Sequence, residues 1–291
     1  MIQFYLTALQ MALCLAPMAM GIFITMKVFN IPDITTDGSY TLGAAITAIM
    51  LTGGLPVSLA LPACMLSGAL AGTCTGIIHT KLKIDALLSG ILVMTALYSI
   101  NLIILGRSNI PLINTASIFI KSDWLVSELN GQLITALIFV GVILALLIYL
   151  LRTDFGIAMR ASGNNPVMTK ALGVNNDSIR ITGLAVSNSL TGLSGFLVAQ
   201  YQGFTDINMG IGIVITGLGS VLVADAIKQW FNVKKIGRQI MLVVIGCAVF
   251  QSVLAFTLSI GIDPNLLKLI TATFVLLIVA LPRLTAFTKH K

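Results

Sequence analysis

The sequence predicts an all-α polytopic membrane protein of about nine transmembrane helices, built as inverted-repeat halves, and three observations predict it. Of its 291 residues 57% are hydrophobic and only 9% are charged, whereas soluble domains carry about 25% charged residues. The apolar residues gather in runs near the roughly 20 needed to cross a bilayer core. Two short, glycine-rich stretches with polar leads also sit at corresponding places in the two halves.

Taken in order, the apolar runs fall near 4–28, 39–53, 58–78, 86–106, 131–151, 179–201, 209–224, 239–260 and 265–281, and each is bounded by polar punctuation. The first lacks a basic leader and a small-residue cleavage site, so it reads as a membrane helix and not as a secretory signal. The whole of 1–291 reads as a single transmembrane domain. Basic residues beside spans stay on the cytoplasmic side. Lys81 and Lys83, then Arg152, Arg160, Lys170 and Arg180, then Lys228, Lys234, Lys235 and Arg238, then Arg283, Lys289 and Lys291 all fall on one face of a nine-crossing chain. That face is expected to be cytoplasmic, with the N-terminus outside and the C-terminus inside a bacterial inner membrane.

Two spans carry small residues at every fourth position: Ala60, Cys64, Gly68, Gly72 and Gly76 in one, Gly183, Ser187, Thr191, Gly195 and Ala199 in the other. Lipid is as apolar as leucine, so membrane helices associate by close backbone approach, and such stripes permit it. The two interrupted stretches run from Asp33 to Gly43 and from Asp206 to Gly219, each near a Thr-Asp pair. In transporters, paired interruptions of this kind point to a central pathway. The candidate pathway residues are Asp37, Gly38, Ser39, Thr41, Asn188 and Gln200. Apart from Asp37 at a helix start, no charge is expected deep in a span, so the carboxylate usual in ion coupling is missing.

Other chemistry is excluded. Cys14, Cys64, Cys74 and Cys247 lie in apolar runs without metal-ligand spacing and read as small packing residues. His79 and His290 build no catalytic or metal constellation, and there is no phosphate-binding G-x-x-x-x-G-K-[ST] loop. The net charge of +7 is spent on topology, and a nucleic-acid interface would need a basic soluble patch. No metal or bound cofactor is expected on this chain.

The most informative stretch is 153–178, the expected cytoplasmic loop. Asp154 can cap a helix from Phe155 that Gly163 ends; Asn165 can cap a second, with Pro166 at its first position and Gly173 as its stop. Val167, Met168, Ala171 and Leu172 give this stub an apolar face, which suits a docking element. The opposite loop, 107–130, holds Asp123, Trp124 and Glu128 and is the natural extracytoplasmic docking surface. Asp263 before Pro264 reads as the cap of the last span.

The run from Phe155 to Pro166, Ala171-Leu172-Gly173-Val174-Asn175, Ile31-Pro32-Asp33, Asp37-Gly38-Ser39 and the 210–220 segment together resemble the branched-chain amino acid and ribose permease family of ABC importers, closest to amino-acid permeases of the tryptophan and tyrosine kind. The resemblance implies a type II, vitamin B12 importer-like transmembrane domain, working as a homodimer with two cytoplasmic ATPase subunits that hold ATP and magnesium. It also implies an extracytoplasmic binding protein or lipoprotein that delivers the solute, and lipid around the bundle. Relatives commonly have ten spans where nine fit here. On this likeness Asn164, Asn165, Pro166, Met168, Leu172 and Gly173 form the coupling helix, with Arg160 and Lys170 facing acidic groups of the ATPase. The expected solute is an amino acid, aromatic or branched; a sugar or nucleoside permease, or a stand-alone secondary transporter, would share most of these features.

Overall fold

The computed structural model describes residues 2–113, 115–119, 128–261, 263 and 266–289; Asp123, Trp124, Pro264, His290 and Lys291 lie outside them. Helix α1 (Ile2–Phe23) runs into a π-helical turn (Ile24–Val28), followed by α2 (Thr35–Thr52), α3 (Val57–Lys81), α4 (Ala86–Leu105) and strand β1 (Asn109–Pro111). Then come α5 (Glu128–Arg152), α6 (Asp154–Asn164), α7 (Pro166–Ala171), α8 (Asn176–Gln202), β2 (Phe204–Asp206), α9 (Ile213–Trp230), α10 (Ile236–Ser259) and α11 (Leu267–Lys289). Among the described residues seven helices are long and apolar enough to cross a membrane: α1 with its π turn, α3, α4, α5, α8, α9 and α10. The apolar runs expected at 39–53 and 265–281 correspond to α2, whose first turns are polar, and to α11, whose qualifying apolar stretch is the shorter Leu267–Ile278.

Local chemistry sets the boundaries. Asp85 opens α4 by accepting from Leu87 N at 2.9 Å, and Gly106 closes it at φ +65°, a left-handed turn that glycine adopts without a Cβ clash. Asn175 opens α8 by accepting from Ser178 N, and Gly203 closes it at φ +74°. The strands are too short to form a sheet core. They pair antiparallel, Ile110 opposite Thr205, and tie the end of α4 to the end of α8.

Of the seven candidate spans the most buried are α1 and α8, and α8 packs on α1, α2 and α3 together. The two small-residue stripes explain how. A Cβ on Gly68 would lie 2.3 Å from Asn188 O, and one on Gly72 would lie 2.2 Å from Leu184 O, so the α3 stripe rides on one face of α8. The α8 stripe faces elsewhere: Gly195 presses on Tyr40 O of α2 and Ser187 on Gly21 of α1. Gly43 meets Gly192, where a Cβ would stand 2.1 Å from the carbonyl oxygen. Such approach multiplies dispersion contacts and backbone dipole interactions, which hold helices together where burial of apolar surface gains little.

Candidate functional site

At mid-length of the bundle two helices begin deep inside it. Helix α2 starts after an irregular stretch, 29–34, and Asp33 Oδ1 accepts from Thr35 N at 2.9 Å in its first turn. Helix α9 starts after the turns at 207–212, and its cap comes from another helix. Asp37 Oδ2 accepts from Gly212 N at 2.8 Å and Oδ1 from Val214 N at 2.9 Å, so one carboxylate meets the positive end of a helix that its own helix does not contain. The neighbours fix the depth. Gly38 lies against Met94 and Leu97, midway along α4, and Asp33 bonds to Asn188, midway along α8.

Asn188 is fully buried and spends its amide on this junction. Its Nδ2 donates to Asp33 Oδ2 at 2.7 Å and to Leu184 O at 3.1 Å, while its Oδ1 accepts from Ser39 Oγ at 2.7 Å. A buried carboxylate is costly unless its lone pairs are met, and Asn188 and Thr35 meet those of Asp33. Gln200 lies further along α8, accepting from Ile118 N at 3.0 Å and donating to Phe196 O at 3.3 Å. It holds the segment after β1 on the bundle. Thr41 Oγ1 donates to Asp37 O.

The stretch between α5 and α8 forms a knob of two short helices. Thr153, and not Asp154, caps α6, because its hydroxyl reaches Gly156 N while Asp154 already lies inside the helix. Gly163 does not end α6. It is the point of closest approach to the π turn, where a Cβ would be 1.7 Å from Val28 O, and beside it Asn30 Nδ2 donates to Gly163 O. Asn165 caps α7 by accepting from Met168 N at 3.0 Å, Pro166 occupies its first position and Gly173 follows it at φ +82°. The short helix is inside out. Val167 is 79% exposed, Met168 59% and Leu172 71%, while polar Thr169 is buried, its hydroxyl bonded to Asn176 Oδ1 at 2.9 Å. Arg160 turns back onto its own chain, Nε to Gly156 O and Nη2 to Leu151 O. Lys170 and Asn164 are solvent-facing.

The structure therefore brings Asp37, Gly38 and Thr41 together with the start of α9, and places Ser39 and Asn188 in an adjacent structural network and Gln200 apart from both. Asn101 joins the first group, its Nδ2 donating to Gly38 O at 3.2 Å, and Asp33 joins the second, bonded to Asn188. Sequence reasoning missed their partnership because a lone polar residue in an apolar run says nothing of which helix it will face. For Asn101 the only signal was an Asn inside the apolar run 86–106. Among the described residues no group of three or more His, Cys, Asp or Glu could hold a metal ion.

A family described as the branched-chain amino acid transport system, permease component, matches residues 4–281. A tyrosine transport system permease protein of Clostridioides difficile (strain R20291) is 40% identical over 278 residues, covering 94% of this chain and 90% of the relative. A ribose import permease protein of Haemophilus influenzae is 25% identical over 235 residues, covering 79% and 71%. A solved structure described as an inward-facing conformation of an ABC transporter, assigned to the metal-chelate type, superposes with a TM-score of 0.52 at 14% identity over 96% of this chain and 85% of that one, a likeness of fold alone. Matched over nearly its whole length, the chain belongs to the branched-chain amino acid transport permease family and is the multi-pass permease component of an ABC transporter.

Proposed function

We propose that this permease carries an amino acid inward through a pair of permease subunits, driven by two ATPase subunits docked under the α6–α7 knob and fed by an extracytoplasmic binding protein. The observation that carries the reading is α7 itself. A helix of six residues, capped at its start by Asn165 and stopped at Gly173, that exposes Val167, Met168 and Leu172 while burying Thr169 is built to be covered. Exposed large apolar groups beside polar loops mark contact surfaces. Lys170 is the cation available to an acidic groove, since Arg160 is engaged by backbone carbonyls.

On this reading the knob lies on the cytoplasmic side, α2 and α11 complete nine crossings of a type II fold, the N-terminus is outside and the C-terminus inside. Nucleotide-driven closure of the ATPases pushes on α7, and α6 passes the displacement to the π turn through the contact of Gly163 with Val28. The solute passes Asp37, Gly38 and Thr41, where two helices start deep in the bundle. An amino acid is favoured by the 40% identity to a tyrosine permease; the more distant ribose relative supports a sugar as the second reading.

The test is substitution of Met168→Asp with Leu172→Asp. A charge in the covered patch should abolish co-purification of the ATPase and ATP-driven uptake while leaving membrane insertion and thermal stability unchanged, since both side chains are exposed. Undiminished uptake of radiolabelled L-tyrosine and L-leucine by the double variant would overturn the docking role.

A further inference from the structure

Beside the junction of α2 and α9 lies a cavity of about 30 Å³ lined by Asp37, Gly38, Thr41, Asn101 and Gly210. Its mouth is set by Tyr98 and Ile211, each nearly half exposed. Space of this size admits one water-sized group.

The polar atoms around it are short of donors. Asn101 is 1% exposed, its Nδ2 is committed to Gly38 O, and its Oδ1 has no hydrogen-bond partner. The Thr41 hydroxyl has given its proton to Asp37 O, and each Asp37 oxygen accepts one backbone N–H and keeps a lone pair. Leaving a buried acceptor unmet costs about 1–3 kcal/mol, so an orphan of this kind in a native site calls for a ligand. The group that fits is small, rich in donors and free of acceptors. Gly210 keeps the space open, because a Cβ there would lie 2.2 Å from Asp37 O and 2.3 Å from Thr41 Oγ1.

We infer that the cavity bounded by Asp37, Thr41 and Asn101 is a mid-membrane subsite for a small cationic donor, the ammonium group of the transported amino acid. The inference deepens the proposed function and rests on it. An ammonium brings three N–H donors and no acceptor, and is close to water in size. The Asp37 carboxylate adds attraction without gripping, since its charge is already shared with the α9 N-terminus. Lys268 of α11, exposed and near enough to act electrostatically on Asp37, offers a cation to a zwitterion's carboxylate. A free alkali cation would be coordinated by the same lone pairs but has no use for Lys268.

The experiment is ATP-driven uptake of L-tyrosine and L-leucine by proteoliposomes holding the permease with its ATPase and binding protein, for the parent, Asn101→Leu, Asn101→Asp and Thr41→Val. Asn101→Leu should lower the maximal rate about tenfold or more, with the half-saturating concentration unchanged because that is set at the receptor. Asn101→Asp loses the same donation to Gly38 O yet keeps the acceptor, so it should stay within about threefold of the parent; a purely structural Asn101 would make the two variants equally poor, and that result overturns the inference. Thr41→Val, nearly isosteric, should lose about threefold, and decides the matter if Asn101→Leu fails to insert. Parental rates in both Asn101→Leu and Thr41→Val also overturn it. Uptake by the parent should be the same when N-methylglucamine replaces sodium; a loss that Asn101→Leu abolishes would assign the cavity to the alkali cation instead. Absence of uptake of either amino acid by the parent would bring down the amino-acid reading itself, whereas parental uptake with indifferent variants would bring down the subsite alone.

Discussion

The junction of α2 with α9 and the α6–α7 knob break the usual distribution of polar and apolar groups in opposite directions. In the junction, Asp33, Asp37, Ser39 and Asn188 are buried, and hydrogen bonds from within the chain meet their main demands. In the knob, Ile157, Val167, Met168 and Leu172 are exposed, and nothing among the described residues covers them. Buried polar groups that are satisfied hold a structure in one arrangement; exposed apolar groups on a rigid, capped stub gain only when something else arrives. The junction is thus satisfied within the protomer apart from Asn101 Oδ1, whereas the knob leaves apolar side chains bare.

That contrast can be tested by disturbing each side, and the largest effect belongs to the packing around the junction. Gly43→Val places a side chain where Gly192 O already stands, so α2 and α8 must separate; a loss of about 3 kcal/mol or more is expected, seen as a collapse of the detergent melting temperature and of membrane-inserted protein. Next comes Asn188→Leu. It strips the Asp33 carboxylate of a donor and orphans the Ser39 hydroxyl, at a cost of about 3 kcal/mol, again read as thermal stability. In the knob the order of readouts reverses. Asn165→Ala removes the cap of α7 and costs about 1 kcal/mol locally, so melting should hardly move while ATP-driven uptake falls severalfold. Equal stability losses in Asn188→Leu and Asn165→Ala would erase the distinction between the two regions.

Much of the helical plan was legible in the sequence because long apolar runs and small-residue stripes are one-dimensional signals of three-dimensional packing. The runs at 58–78, 86–106, 131–151, 179–201 and 239–260 lie on α3, α4, α5, α8 and α10. The run expected from 209 starts too early, because hydropathy does not distinguish the apolar turns around Met209 and Ile211 from helix, and α9 begins only at Ile213. Capping grammar located α7 closely, since Asn165, Pro166 and Gly173 act within a few residues of one another. The same grammar misplaced the start of α6 by one residue, Thr153 and Asp154 being competent caps side by side, and read Gly163 as a stop when its work is to let Val28 approach. The pairing of β1 with β2 and the bonds of Asp33 and Asn101 depend on partners tens of residues away, and no local pattern announces them. For Asn188 the polarity was visible in the sequence, and its bonds to Asp33 and Ser39 were not.

The account stands most directly on which side of the membrane the knob faces and what covers it. A cysteine placed at Leu172, in a chain whose exposed Cys74 is changed to Ala, should react with a membrane-impermeant maleimide only in inside-out vesicles, and should be shielded there when the ATPase is bound. Reaction in right-side-out vesicles, or labelling indifferent to the ATPase, would contradict it.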